Sequence, residues 1–132
     1  METKEILENM DKLDTIFYMQ ELFDKDVIKN RGLESITPEQ WIQKQTLAMV
    51  SELAELLDEV NFKWWKNPKE IDYSLVKGEL VDILHFFTGM CLRVGMTSDE
   101  LYNLYLEKNK ENFDRQYGKS AKKGYEISLK KS

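Results

Sequence analysis

Four acidic residues at matched spacing give this chain its first chemical signal. Glu52 and Glu55 are three residues apart, and so are Glu79 and Asp82. On an α-helix that spacing stacks two carboxylates on one face, a turn from each other. If the two helices pack antiparallel, the four groups converge, and their repulsion requires a cation. Carboxylates without a His or Cys cluster favour a hard ion, Mg²⁺ or alternatively Mn²⁺. Such a site suits hydrolysis of a phosphate compound: the metal polarises the phosphate and a carboxylate orients the attacking water. The plainer reading is a set of solvated helix acids, and a single Glu-x-x-Glu does not exclude it. Two matched pairs, each at the edge of an apolar face, make that reading harder to hold.

A second cluster lies near the C-terminus. Leu101, Leu104 and Tyr105 begin a helical face that Lys108, Asn112 and Arg115 continue at spacings of four and three. Donors of this kind hold phosphate oxygens. The competing role is a solvated helix end whose cations complement the macrodipole, and Glu107, Lys110 and Glu111 read that way.

The elements that must position these residues are all helical, because apolar residues recur at helical spacing and period-two runs are nearly absent. We expect four helices. The first covers about Lys4 to Asn30 and stops at Arg31–Gly32. The second begins at Thr37, with Pro38 in the first turn and Gln40 completing a capping box, and runs to about Trp65 before Asn67–Pro68. On it Glu52, Glu55 and Glu59 form a stripe beside a broad apolar arc from Leu47 to Val60. The third covers about Asp72 to Val94, with Leu80, Ile83, Leu84, Phe87, Met90 and Cys91 on its apolar side. The fourth runs from Thr97 or Ser98 to about Tyr117, with Thr97 and Glu100 at capping-box spacing. Residues 118–132 read as a polar tail, mobile unless a ligand orders it.

The 132 residues suit one domain, spanning 1–132, with one modest core. A net charge of −5 argues against a broad nucleic-acid surface and leaves room for a local phosphate pocket. Cys91 is the single cysteine, flanked by Met90 and Leu92, and reads as a buried, reduced thiol rather than a nucleophile. The charged first residues do not resemble a signal peptide, and no apolar run approaches the roughly 20 residues that span a bilayer. A cytoplasmic protein is expected.

The motifs also resemble a known family. SELAELL (51–57) followed by GELVDILHFF (78–87) is similar to the E-x-x-E … E-x-x-D pattern of the all-α NTP pyrophosphatases, a superfamily that includes MazG-like enzymes and dimeric dUTPases. FYMQEL (17–22), NFKWWK (61–66) and KNKENFDRQ (108–116), with Gly124–Tyr125 beyond, resemble segments of the dUTPase branch. The likeness spans about residues 13 to 125. It implies a helical bundle assembled as a homodimer or dimer of dimers, and Mg²⁺-dependent hydrolysis of dUTP, and dUDP too, to dUMP. Glu52, Glu55, Glu79 and Asp82 would bind the metal, with Glu52 or Glu55 also orienting the water. Lys108, Asn112 and Arg115 would hold phosphates. Gln20 would meet the uracil edge, Trp64 or Trp65 would enclose the base, and His85 would line the nucleoside pocket. Each has a structural competitor: Gln20 as an exposed helix residue, His85 as a satisfied core histidine, and one of the tryptophans as core. Two other functions compete, a MazG-like house-cleaning pyrophosphatase of broader dNTP range and a non-enzymatic helical interaction module.

Overall fold

The computed structural model of the protein describes residues 2–128. Among them there are five α-helices and no strand, so the all-α class holds. The chain forms two compact units, one up to Thr97 and one from Ser98 onward.

The first unit contains α1 (Glu2–Glu8), α2 (Lys12–Arg31), α3 (Pro38–Glu59) and α4 (Tyr73–Arg93). The single helix expected over Lys4–Asn30 is therefore two. The break is local chemistry. Asp11 takes an extended backbone and its carboxylate accepts from the Asp14 amide at 2.8 Å, which starts α2. The Asn9 amide donates back to the Glu5 carbonyl at the end of α1. Short polar side chains compete for backbone groups and so favour helix ends over interiors. Gly32 closes α2 in the left-handed conformation at φ 64°, while the Leu33 amide reaches the Ile28 carbonyl.

The start of α3 is as expected. Thr37 and Gln40 exchange side-chain to backbone hydrogen bonds, with Pro38 in the first turn. Its end is not, because the helix stops at Glu59 instead of Trp65. Asn61 adopts φ 59° and its amide clamps the Lys69 backbone from both sides, at 2.8 and 2.9 Å. That clamp turns residues 60–72 into a loop. Asp72 caps α4 through the Ser74 amide, and the helix occupies the expected span to within a residue.

Helices α3 and α4 form the main packed pair, and α2 packs on α4. Their directions are opposed: Thr46 meets Met90 near one end, and Glu52 meets Glu79 towards the other. Gly89 makes the crossing tight. A Cβ there would lie 2.9 Å from the Gln45 amide nitrogen and 3.3 Å from Asp24 Oδ2. Among the described residues Phe17 and Cys91 are the buried apolar side chains, so the burial expected of the Cys91 thiol is found. Burial also raises the Cys91 thiol above its ordinary value. Leu47, Val50, Leu53, Leu57, Leu80, Val81 and Leu84 remain exposed along α3 and α4. Among the described residues no single helix is long and apolar enough to cross a membrane.

The second unit is α5 (Ser98–Gln116) with the segment that follows it. Residues 118–128 are not a loose tail. Gly118, at φ 73°, turns the chain, the Lys119 amide bonds the Asp114 carbonyl, and the Ile127 amide bonds the Gln116 carbonyl. Ser120 is buried and donates to Glu111. Residues 129–132 of the expected tail lie outside the described residues.

Candidate active site

Because α3 and α4 are antiparallel and in contact, their acidic faces meet. Oxygen atoms of Glu52, Glu55 and Glu79 all lie within 4.8 Å of one another. One oxygen each of Glu52 and Glu79 is buried without a hydrogen-bond partner. The strain of this proximity is visible in Glu79, whose carboxyl is pushed up from 4.5 to about 7. A hydrogen bond with Glu52 contributes most, followed by burial and the charge of Glu55. A cluster that holds a proton near neutrality, with spare buried oxygens, is the donor set that a hard divalent cation replaces the proton on. The residues present therefore fit such an ion.

Asp82, the fourth expected carboxylate, is exposed and stands one turn further along α4. It does not join the group of three but lines the adjoining cavity with Glu52. Glu59, the third residue of the α3 stripe, turns instead to Lys69 at 3.4 Å.

The cavity has a volume of about 600 Å³, enough for a nucleoside. Apolar and aromatic side chains, among them Phe23, Val27, Trp41 and Phe86, form much of its wall. Its polar wall is a connected chain. His85 Nδ1 lies 2.7 Å from Gln20 Oε1, and Gln20 Nε2 donates to Asp24 Oδ1 at 2.8 Å. Arg93 pairs with Glu21 at 2.7 Å and stands 3.8 Å from Asp24 Oδ2. Burial raises the Asp24 carboxyl above its ordinary value, against the opposing pull of Gln20 and Arg93. Gln20 is only 6% exposed, so the alternative of a solvent-facing helix residue fails. His85 is exposed and lines the cavity, which removes its reading as a core histidine.

The tryptophans depart from the helical expectation. Trp64 and Trp65 lie in the 60–72 loop, 86% and 60% exposed, with ring centroids 5.5 Å apart edge to face. Neither is core, because the helix whose rotation would have buried one of them ends at Glu59. They are not among the residues lining the cavity. Lys108, Asn112 and Arg115 belong to the second unit. Lys108 and Asn112 are exposed, while Arg115 bonds Glu111 at 3.0 Å and covers the Tyr125 ring at 5.5 Å.

A family model described as dUTPase matches residues 12–94, from the start of α2 to the end of α4, with all three clustered glutamates inside. The chain belongs to the all-α dUTPase family. Two similar proteins are named dCTP pyrophosphatase. That of Enterobacteria phage T4 is 49% identical over 45 residues, and that of Enterobacteria phage LZ5 is 44% identical over 45 residues. Each alignment covers 34% of this chain and 26% of the phage protein, so the chain matches about a quarter of those relatives' length. No solved structure matches. Within this dUTPase-family chain, sequence reasoning missed Asp24, Gln45 and Arg93 in the cavity wall. A signal existed for each of them. Gly89 in the middle of a strong helix marks a close approach, and Arg93, on the α4 flank, was open to an acidic partner on another helix.

Proposed function

We propose that this chain is a divalent-cation-dependent pyrophosphatase of pyrimidine deoxynucleoside triphosphates, with dUTP, and dUDP after it, as the expected substrate, acting in the cytoplasm. The observation that carries this reading is the trio Glu52, Glu55 and Glu79, mutually within 4.8 Å, beside a cavity that shares Glu52 as a wall residue. Bound there, Mg²⁺, or Mn²⁺ in its place, would neutralise the phosphates and lower the barrier to attack. Glu52, Glu55 and Glu79 are the residues to hold it, with Asp82 on the adjoining cavity wall as the fourth ligand that the resemblance implies. A water oxygen forms the new bond to phosphorus, the bond bridging the α- and β-phosphates breaks, and pyrophosphate from dUTP, or phosphate from dUDP, leaves with its electrons. Glu52 or Glu55 orients that water and takes its proton. Gln20 and His85, which line the cavity, are assigned to the nucleoside, and the family resemblance alone adds Trp64 and Trp65 of the 60–72 loop. The family resemblance alone assigns Lys108, Asn112 and Arg115 of the second unit to phosphate binding.

A second substrate reading has its own support: the phage relatives are named for dCTP, and their similarity to this chain is local but high. A MazG-like enzyme of wider range is the remaining alternative. Assembly as a homodimer or dimer of dimers is part of the proposal, supported by the apolar residues left exposed along α3 and α4.

The test is a panel of dNTPs and dUDP with Mg²⁺, following pyrophosphate and phosphate release. Selective turnover of dUTP or dCTP, lost in Glu55→Gln, supports the reading and chooses the base. Equal turnover of purine and pyrimidine dNTPs replaces it with the wider enzyme. Absence of any turnover leaves the acidic trio to a non-enzymatic protein.

A further inference from the structure

The polar wall of the cavity has a direction. A carboxylate oxygen facing an amide can only accept, so Asp24 Oδ1 requires Gln20 to present its nitrogen, which it does at 2.8 Å. The other end of the same rigid amide is then a carbonyl oxygen, 2.7 Å from His85 Nδ1. A carbonyl cannot donate. The hydrogen between them must belong to Nδ1, and the neutral ring keeps its lone pair on Nε2. Nδ1 is thus occupied by Gln20, and His85 is an exposed residue of the cavity wall, so Nε2 is the ring nitrogen left for a ligand. The other oxygen of the anchor, Asp24 Oδ2, is buried without a hydrogen bond and has Arg93 3.8 Å away as its counter-charge, and the lack of a side chain at Gly89 leaves room for Asp24 and Gln45 against α4.

We propose that Asp24 is a specificity-determining positioning residue that, through Gln20, fixes His85 as the Nδ1–H tautomer and makes its Nε2 an acceptor for an N–H group of the bound base. The ligand half of this inference rests on the pyrimidine-nucleotide reading above; the tautomer half does not. Uracil offers an N3–H and cytosine an exocyclic amine, so both satisfy the acceptor. A base that presents only acceptors at that edge leaves Nε2 unpaired and is disfavoured.

His85 is the single histidine of the chain, so ring-¹⁵N labelling of the full protein gives one unambiguous pair of signals. At a pH where the ring is neutral, wild type is expected to carry its proton on Nδ1. Asp24→Asn provides an end group that can donate, which lets Gln20 reverse and moves the ring proton towards Nε2. Gln20→Met removes the link and does the same by another route. In steady-state assays Asp24→Asn should raise KM for the preferred pyrimidine dNTP about tenfold, with a smaller change in kcat, the loss of roughly one hydrogen bond to substrate. N3-methyl-dUMP should shift the His85 Nε2 signal less than dUMP does. A wild-type ring protonated on Nε2, or a tautomer unmoved in both variants, overturns the proposal. A tautomer that moves while KM stays fixed overturns its specificity half. If wild type turns over no nucleotide, the proposed function and the ligand half fail together, and the ring spectra still decide the role of Asp24.

Discussion

The proton on Glu79 gives the proposed metal site a quantitative signature. Its carboxyl titrates at about 7 because Glu52 and Glu55 crowd it. A divalent cation needs the ionised form, so binding must expel that proton. The apparent dissociation constant then scales with the fraction of sites already deprotonated. For a group titrating at about 7, Mg²⁺ binding should weaken about tenfold from pH 8 to pH 6, and roughly a hundredfold by pH 5. Were Glu79 at its ordinary 4.5, the change between pH 8 and pH 6 would be negligible. The sign is fixed: affinity falls as pH falls through 7. Isothermal titration of Mg²⁺ into the protein, at constant ionic strength and in two buffers of different ionisation heat, measures both quantities. About half a proton should be released per protein at pH 7, and nearly a whole one at pH 5. Glu79→Gln should flatten this part of the profile. A dissociation constant that is flat from pH 8 to pH 6, with no buffer dependence of the heat, would refute the crowding argument. The metal-free protein carries the complementary effect. Its native state retains a proton that the unfolded chain has released, so this group's contribution to stability declines as pH rises from 4.5 towards 7.

Three further outcomes test the architecture. Overpacking in Gly89→Ala should cost roughly 1–3 kcal/mol, since its Cβ meets Gln45 and Asp24. Alanine is the better helix former by about 1 kcal/mol, so the net loss in thermal or urea melts is roughly 0–2 kcal/mol, and a gain of about 1 kcal/mol would deny the close approach. Asn61→Ala removes both hydrogen bonds to Lys69 and places Ala at φ 59°; it should cost about 1–3 kcal/mol and speed proteolysis within residues 60–72. Asn61→Gly should restore the backbone share of that loss and leave the clamp share. If the proposed assembly uses the exposed α3–α4 face, wild type should sediment as a dimer or larger and the paired change Leu53→Glu with Leu84→Glu as a monomer at micromolar concentration; a monomeric wild type, or a profile the change leaves untouched, would refute that face as an interface.

Much of the helical plan was legible from local chemistry. Thr37, Pro38 and Gln40 specify a helix start through their own hydrogen bonds, and no distant residue is needed. The acid pairs were legible for the same reason: a spacing of three on a helix places two groups on one face whatever surrounds them. The break at Asp11 was readable in principle, as an Asn and an Asp flanking Met10, but a continuous apolar periodicity outweighed it.

What the sequence could not decide was which faces meet. The antiparallel register of α3 and α4 brings Glu79 to Glu52 and Glu55, leaves Asp82 a turn away on the cavity wall, and sends Glu59 to Lys69. The Asn61 clamp, made to a residue eight positions on, ended α3 early and exposed both tryptophans. The raised Glu79 carboxyl and the directed chain from Asp24 to His85 depend on separations of a few ångströms between residues far apart in the chain. Residue types and spacing set what each helix carries; only packing sets the distances on which charge, proton position and recognition depend.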